Sequence, residues 1–293
     1  MKKLNLLTCF LSVYFYEIEQ KLNGTRNELD LITFQSKTEN TDKFLKHYFK
    51  NYLSIHNSIK ETKIEKLELQ IDTQNYQINT KELFNYQILN VFLPEELTSS
   101  QKQEITKSKN SIYINPDLYL EISDGKTLFY EPLDIKSIRN DTISDASLQK
   151  ISPFEWVIFI KKNAHSVSVA TGFYLTSFIK KVYSADYIFY PQVSYKNLVK
   201  SNRIYRIQNN ATLFVENKRK TEVDKIELLV NWQEYLATQW LKIIQIQLTK
   251  KNTEQINWIN TLKTIPKKFL EYIDNLSEEE KIKIQQKIQK IIN

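Results

Sequence analysis

The stretch that most constrains this chain runs from Asn115 to Arg139. It reads as two alternating apolar segments, Leu118-Tyr-Leu-Glu-Ile122 and Leu128-Phe-Tyr-Glu-Pro-Leu-Asp-Ile135, on either side of Asp124-Gly125. An Asp-Gly pair between two such runs is the strongest short-range signal for a β-hairpin. The chain has three glycines in all, so one placed here points to a turn position with positive φ. With Asp124 and Gly125 as the two central turn residues, Ser123 pairs with Lys126, Glu121 with Leu128, Tyr119 with Tyr130 and Asp117 with Pro132. Side chains alternate along a strand, which puts Asp117, Asp134 and Lys136 on one face. Asp117 and Asp134 become diagonal neighbours, about 7–8 Å apart. Leu118, Leu120, Ile122, Phe129, Leu133 and Ile135 form the opposite, core-facing surface, with Glu131 as its exception. A three-residue loop or a bulge would carry Asp117 to the other face.

Two carboxylates reaching in from that separation can share one metal ion. Hard divalent ions such as Mg²⁺ take oxygen ligands, often one or two carboxylates completed by substrate phosphate. A metal there polarises a phosphodiester and lowers the pKa of a bound water. Lys136 beside it would orient that water and offset charge gathering on the phosphate. The pattern suits phosphodiester hydrolysis. The competing reading is a solvated charged face on a surface hairpin.

Pro116-Asp117 followed by Asp134-Ile135-Lys136 resembles the PD-(D/E)xK motif of metal-dependent nucleases, type II restriction endonucleases in particular. The resemblance implies Asp117 and Asp134 as Mg²⁺ ligands and Lys136 as the catalytic lysine. It also implies a further acid from a preceding helix, for which Glu82, Glu96 and Glu104 are open alternatives. Pro153–Ile160, Ala170–Tyr174 and Pro191–Ser194 are similar to segments of some restriction enzymes. The expected fold is therefore α/β (α+β), a mixed central β-sheet nuclease core flanked by helices. It would be one domain over 1–293: a mainly helical part at 1–110, a catalytic sheet core at 111–215 and a helical part at 222–293.

Composition is compatible with that reading. The chain has 293 residues, 41% of them hydrophobic and 26% charged, which is ordinary globular usage and enough for a substantial core. A formal charge of +7 and a pI near 9.1 fit a polyanion partner. Lysine, asparagine and isoleucine outnumber arginine and glycine, as in AT-biased genomes, so the arginines carry more information than the lysines. Cys9 is the single cysteine, which excludes internal disulfides and cysteine-rich zinc sites. Met1–Tyr16 has the basic and apolar regions of a secretion signal, but no small-residue cleavage site follows, and the chain runs on into Glu17-Ile-Glu-Gln-Lys21. The expectation is a buried helix in a cytoplasmic protein, with no membrane span.

Along the chain, helices are expected over 3–22, ending near Asn23-Gly24, over 41–60 and over Thr80–Phe92. The second of these has Phe44, Tyr48, Phe49, Tyr52, Leu53 and Ile55 on a broad apolar face. Lys63–Ile71 alternates as a strand. Leu97–Asn110 reads as a loop or frayed helix. After the hairpin, 144–150 reads as a short helix capped by Ser144. Phe154–Ile160 reads as a central strand buried on both sides. Ser166–Leu175 is a further strand containing Gly172, where close packing and close approach of DNA are both open. Residues 186–195 form an edge-like strand with Pro191. Asp224–Lys250 is helical, Trp232, Trp240 and Trp258 are core anchors, and Ser277-Glu-Glu-Glu280 opens a last helix as a capping box.

The residues expected to face DNA are Arg139, Lys161, Lys162, Asn163, Thr171, Tyr174, Gln192, Arg203 and Arg206. Lys161, Lys162, Asn163 and His165 gather at the end of a buried strand, where ligand sites form in open α/β sheets. Arg203 and Arg206 have the chemistry for phosphate or guanine contacts, and the alternative is a solvated basic loop. The leading expectation is a Mg²⁺-dependent endonuclease acting on double-stranded DNA as a homodimer, with a methyltransferase protecting host DNA. The alternatives are a repair or junction nuclease of the same fold and a non-catalytic nucleic-acid-binding protein. Isolated histidines and the absence of a Gly-rich phosphate loop argue against other nuclease, hydrolase and nucleotide-triphosphate chemistries.

Overall fold

The computed structural model describes residues 6–24, 29, 38–71, 74–108, 116–138, 142–144, 154–162, 166–182, 189–217, 234, 238, 264, 267–268 and 271–292. The fold is α+β. The chain divides into two compact units, Met1–Val182 with Phe189–Trp232, and Tyr183–Ile188 with Gln233–Asn293.

The apolar start of the chain forms α1 (Leu6–Gly24). Cys9, Phe10, Leu11, Val13, Tyr14, Phe15 and Ile18 are all buried, and a helix that is apolar on nearly every side belongs inside a core. Helix α2 (Thr38–Ile55) buries Leu45, Phe49 and Leu53, spaced four apart, and half-buries Tyr48 and Tyr52. Its apolar face is narrower than expected, because Phe44 and Ile55 are exposed. Strands β1 (Lys66–Ile71) and β2 (Gln74–Asn79) form a hairpin whose Leu67, Leu69 and Ile78 face the same core.

The helix expected over Thr80–Phe92 does not form. Asn79 and Glu82 make a capping box, but the turn it opens stops at Leu83, and Gln87–Phe92 is strand β3. The physical reason is a bulge. The register with the next strand shifts between Ile88 and Asn90, so Ile88 and Val91 both face inward at the three-residue spacing of a helix. Helix α3 (Ser99–Ser108) follows.

Strands β4 (Leu118–Ser123) and β5 (Leu128–Ile138) form the central hairpin. Ser123 pairs with Leu128, Glu121 with Tyr130 and Tyr119 with Pro132, so the loop is Asp124–Thr127, four residues long rather than two. The Asp124 carboxylate accepts from the backbone N–H of Lys126 and Thr127 at 2.9 and 2.7 Å, and Gly125 has φ of +87°. A shift of two positions leaves every side chain on its expected face. Leu118, Leu120, Ile122, Leu133 and Ile135 are buried against α1 and α2's core, with Phe129 half-buried beside them.

Strand β6 (Thr142–Ser144) contains the serine expected to cap a helix, and 145–150 lie outside the described residues. Strand β7 (Trp156–Lys162) pairs parallel with β5 and antiparallel with β8 (Val167–Phe173). The resulting mixed sheet has the order β3-β4-β5-β7-β8. Helix α4 (Tyr174–Ser177) is a single turn leading into β9 (Phe178–Val182). Strand β10 (Phe189–Ser194) is not an edge, for it lies between β6 and β9. Pro191 is tolerated there because β6 reaches only Gln192–Ser194. Helix α5 (Tyr195–Tyr205), capped by Ser194, and strands β11 (Arg206–Asn209) and β12 (Thr212–Asn217) occupy the basic stretch for which a solvated loop is the alternative reading. Strand β12 runs parallel to β1, giving a second mixed sheet, β11-β12-β1-β2. The part expected to be mainly helical thus supplies three strands.

Two apolar cores sandwich the five-stranded sheet. The larger contains α1 and α2, and the smaller joins Ile138, Val157, Phe159, Ala170, Tyr174, Val193 and Leu198 on the other face. In the second unit, α6 (Glu278–Ile292) begins with the expected capping box: Glu280 N–H donates to Ser277 Oγ at 3.4 Å, and Ser277 N–H to Glu280 Oε2 at 3.0 Å. The expected helix over Asp224–Lys250 and the tryptophans at 232, 240 and 258 lie outside the described residues, apart from isolated positions. No described helix is long and apolar enough to cross a membrane.

Candidate active site

Strand β5 changes partners halfway. It pairs with β4 up to Leu133 and with β7 from Leu133 onward, so Asp134 sits where the first pairing has just ended and the second is starting. Extending the hairpin register by one position puts Asp117 directly opposite Asp134 rather than diagonal to it. Directly opposed side chains stand about 4.5–5.5 Å apart at Cβ. Glu155 immediately precedes β7, and Tyr174 immediately follows β8, donating its backbone N–H to the Glu155 carbonyl at 3.1 Å. Asp134 pairs with Val157 and Val157 with Gly172, so Glu155 and Tyr174 form the neighbouring row, two positions along, on the face that carries Asp134.

The cluster is buried: Asp134 is 6% exposed, Glu155 4% and Tyr174 0%. Asp134 Oδ2 accepts from Lys136 Nζ at 2.8 Å and from the Tyr174 hydroxyl in a short hydrogen bond. Asp117 Oδ2 accepts from the backbone N–H of Ile135 at 2.7 Å, and Asp117 Oδ1 pairs with Lys46 Nζ at 2.7 Å. The two carboxyls lie close enough to interact directly, and two bare carboxylates so placed would repel, which favours one proton on the pair.

Burial and the direct interaction with Asp117 push the Asp134 carboxyl up to about 7, against a favourable pull from Lys136. Burial acts on Asp117 in the same sense, but its interaction with Asp134 and the charges of Lys136 and Lys46 hold it below the ordinary carboxylate range. The proton is thus carried mainly on Asp134. Burial pulls the Lys136 pKa down, yet Asp134 and Asp117 outweigh it and raise it above the ordinary lysine value. The Tyr174 hydroxyl is pushed well up by burial and by Asp134, so it acts only as a donor at neutral pH.

Helix α2 adds two groups that the sequence reading missed. Asp42 and Lys46 are four residues apart, one helical turn, and both face the pair. Partial burial and the Asp117 charge raise the Asp42 carboxyl, while a Ser137 hydrogen bond opposes that shift. Asp42 is thus a helical acid near the pair, though its carboxyl and those of Asp117 and Asp134 do not converge closely enough to hold one ion. The three acids expected for that role are engaged elsewhere: Glu82 caps Asn79, Glu96 caps Leu93 and pairs with Lys50, and Glu104 pairs with Lys107 on the surface. The available signal was the i, i+4 Asp–Lys spacing upstream of the motif.

The expected DNA contacts fare differently from the triad of Asp117, Asp134 and Lys136, which does converge. Tyr174 is fully buried against Asp134, because its side chain enters the smaller core. Thr171 is buried too, and its Oγ1 donates to the Phe15 carbonyl at 3.0 Å. Arg206 is turned inward against Glu19 at 2.5 Å and against Thr171. Thr171, Tyr174 and Arg206 therefore face the interior and not a DNA surface. Lys161 and Lys162 end β7, four residues and more beyond the partner of Asp134, roughly 13 Å along the strand. Arg203 is exposed on α5, and Gln192 lies within β10. Arg139 and Asn163 lie outside the described residues. Close packing explains Gly172, where a Cβ would meet Leu198 Cδ1 at 2.7 Å.

Among the described residues no three His, Cys, Asp or Glu side chains converge closely enough to hold one ion. The Asp117–Asp134 pair nonetheless fits a hard divalent cation: its donors are all oxygen, two acids are forced together, and the ammonium groups of Lys136 and Lys46 now offset them. Compared with known protein families, curated proteins and solved structures, the chain matches none.

Proposed function

We propose that this chain is a Mg²⁺-dependent endonuclease that cleaves double-stranded DNA at a short specific site, in the manner of type II restriction enzymes. The observation that carries the reading is the convergence of Asp117, Asp134 and Lys136 on one face of the sheet, with Lys136 Nζ 2.8 Å from Asp134. When bound, the cation would polarise the phosphodiester and supply an acidified water. The protein's part is positioning. The Ile135 N–H fixes Asp117, Tyr174 and Lys136 fix Asp134, and the Lys136 ammonium stabilises charge developing on the phosphate.

Helix α5 supports a duplex partner. It contains no acidic residue, and Lys196, Lys200 and Arg203 are exposed at i, i+4 and i+7 along one face. Its opposite face carries Leu198 into the smaller core beside Tyr174. Such a stripe neutralises phosphates without reading bases. The reading also carries a homodimer, whose twofold axis would match a palindromic site, and a methyltransferase that protects host DNA.

The test is digestion of unmethylated phage DNA with and without Mg²⁺, alongside Asp134→Ala. Discrete fragments that need both the metal and Asp134 support the proposal, and a smear points to a sequence-tolerant nuclease. Binding without cleavage on many substrates rejects catalysis in favour of a nucleic-acid-binding protein.

A further inference from the structure

Among the described residues, the groups that donate to the acid pair are held by the core, except one. Lys136 belongs to β5 and is 15% exposed at its side chain, Tyr174 is fully buried, and the Ile135 donor is backbone. Lys46 reaches Asp117 Oδ1 from the separate helix α2, and its side chain is 36% exposed. Of the groups that neutralise the pair, it alone can leave without opening the core. Its ammonium sits on the carboxylate oxygen that a metal would need, because the other oxygen of Asp117 is committed to Ile135.

On the basis of the metal-dependent reading above, we infer that Lys46 is a tethered counter-ion that holds the metal position in the free protein. It is displaced when a divalent cation enters, and its freed ammonium then turns to a substrate phosphate. An ammonium and a metal ion drawn to the same Asp117 Oδ1 repel each other, so the two compete. Once released, Lys46 remains anchored one helical turn from Asp42 and within side-chain reach of the same pocket, where the incoming ligand is anionic. The lysine thus lowers metal affinity in the absence of DNA and raises DNA affinity in its presence.

The experiment uses the full chain without DNA and titrates Mn²⁺, reading free Mn²⁺ by electron paramagnetic resonance, for the wild type, Lys46→Gln, Lys46→Arg and Asp134→Ala. Lys46→Gln is expected to bind Mn²⁺ about two- to fivefold more tightly than wild type, the range for removing a partly exposed ion pair. Lys46→Arg is expected to stay near the wild-type value, and Asp134→Ala to lose binding. Equal or weaker Mn²⁺ binding by Lys46→Gln, with Asp134→Ala still defective, overturns this role for Lys46 while leaving the metal site standing. No Mn²⁺ binding by wild type or Lys46→Gln removes both the role and the metal-dependent reading. A second arm measures affinity for a short DNA duplex. Lys46→Gln is expected to bind several-fold more weakly than wild type in Ca²⁺ and equally in chelator. The same ratio in both conditions overturns the metal-triggered phosphate contact.

Discussion

Two clusters of buried charge sit on this protein's central sheet, and they are built on opposite principles. At the outer edge of β8, Arg206 meets Glu19 at 2.5 Å and donates to the Thr171 carbonyl and hydroxyl at 3.1 and 2.9 Å. Asn202 adds a bond to the same carbonyl at 3.0 Å, and Asn23 pairs with both backbone groups of Val169 at 2.7 and 2.9 Å. Here each charge has its opposite, and side chains stand in for a missing strand, which blocks the edge to further pairing. In the cluster of Asp117, Asp134, Glu155 and Tyr174, carboxyl groups are instead brought together, and burial raises the Asp134 carboxyl so that it holds its proton more tightly. The first arrangement holds the fold. The second costs stability, and a chain retains such a cost where chemistry needs it.

The sharpest way to separate the two clusters is to remove one charge from each. Lys136→Ala or Asp134→Ala is expected to lower cleavage by at least about 10³-fold, several kcal/mol in the transition state, with folding and DNA binding intact. Loss of binding together with cleavage, or an active Asp134→Ala enzyme, would put the chemistry elsewhere. Arg206→Met is expected to do the reverse: it strands Glu19 and destabilises the protein by about 3–5 kcal/mol in urea unfolding, while the Glu19→Gln/Arg206→Met double variant recovers part of that loss. If Arg206→Met instead melts like wild type and fails to bind DNA, the arginine belongs to the interface after all.

A change on the outside of α5 is expected to touch neither cluster. Lys196→Gln/Lys200→Gln/Arg203→Gln leaves the unfolding midpoint in place and weakens duplex binding, with the slope of log K against log salt flattened by about two to three. An unchanged slope removes α5 from the DNA surface. The pH dependence of stability sharpens the contrast further. Asp134 titrates at about 7 in the folded protein against an ordinary 3.8, so it contributes stability below the ordinary carboxylate range that is lost as pH rises through about 7. Asp134→Asn is expected to flatten that decline and to be more stable than wild type at pH 8 by about 1–2 kcal/mol, whereas at pH 4 the advantage vanishes. The smallest effect is at Gly172, where alanine is expected to cost about 1–2 kcal/mol by pressing on Leu198, without altering cleavage of folded enzyme.

The hairpin, its two faces and the acid–lysine set were legible because alternation along a strand is a local property. Even the wrong loop length did no harm, since the register moved by two and kept its parity. Local reading failed at Thr80–Phe92, where a bulge copied helical spacing, and at Pro191, where a short neighbour left the proline's side of the strand unpaired. It failed also for Thr171, Tyr174 and Arg206. Their chemistry suits a DNA surface as well as an interior, and burial decided between the two.

By itself, then, the sequence determined which residues share a face and which helix is too apolar to be anywhere but inside, because those facts follow from period and composition. Only the tertiary structure decided which acids meet. Asp42 and Lys46 lie some seventy residues and more before Asp117, and Tyr174 lies forty beyond Asp134. Contacts across such separations are set by how helices and strands pack, and no spacing along the chain encodes them.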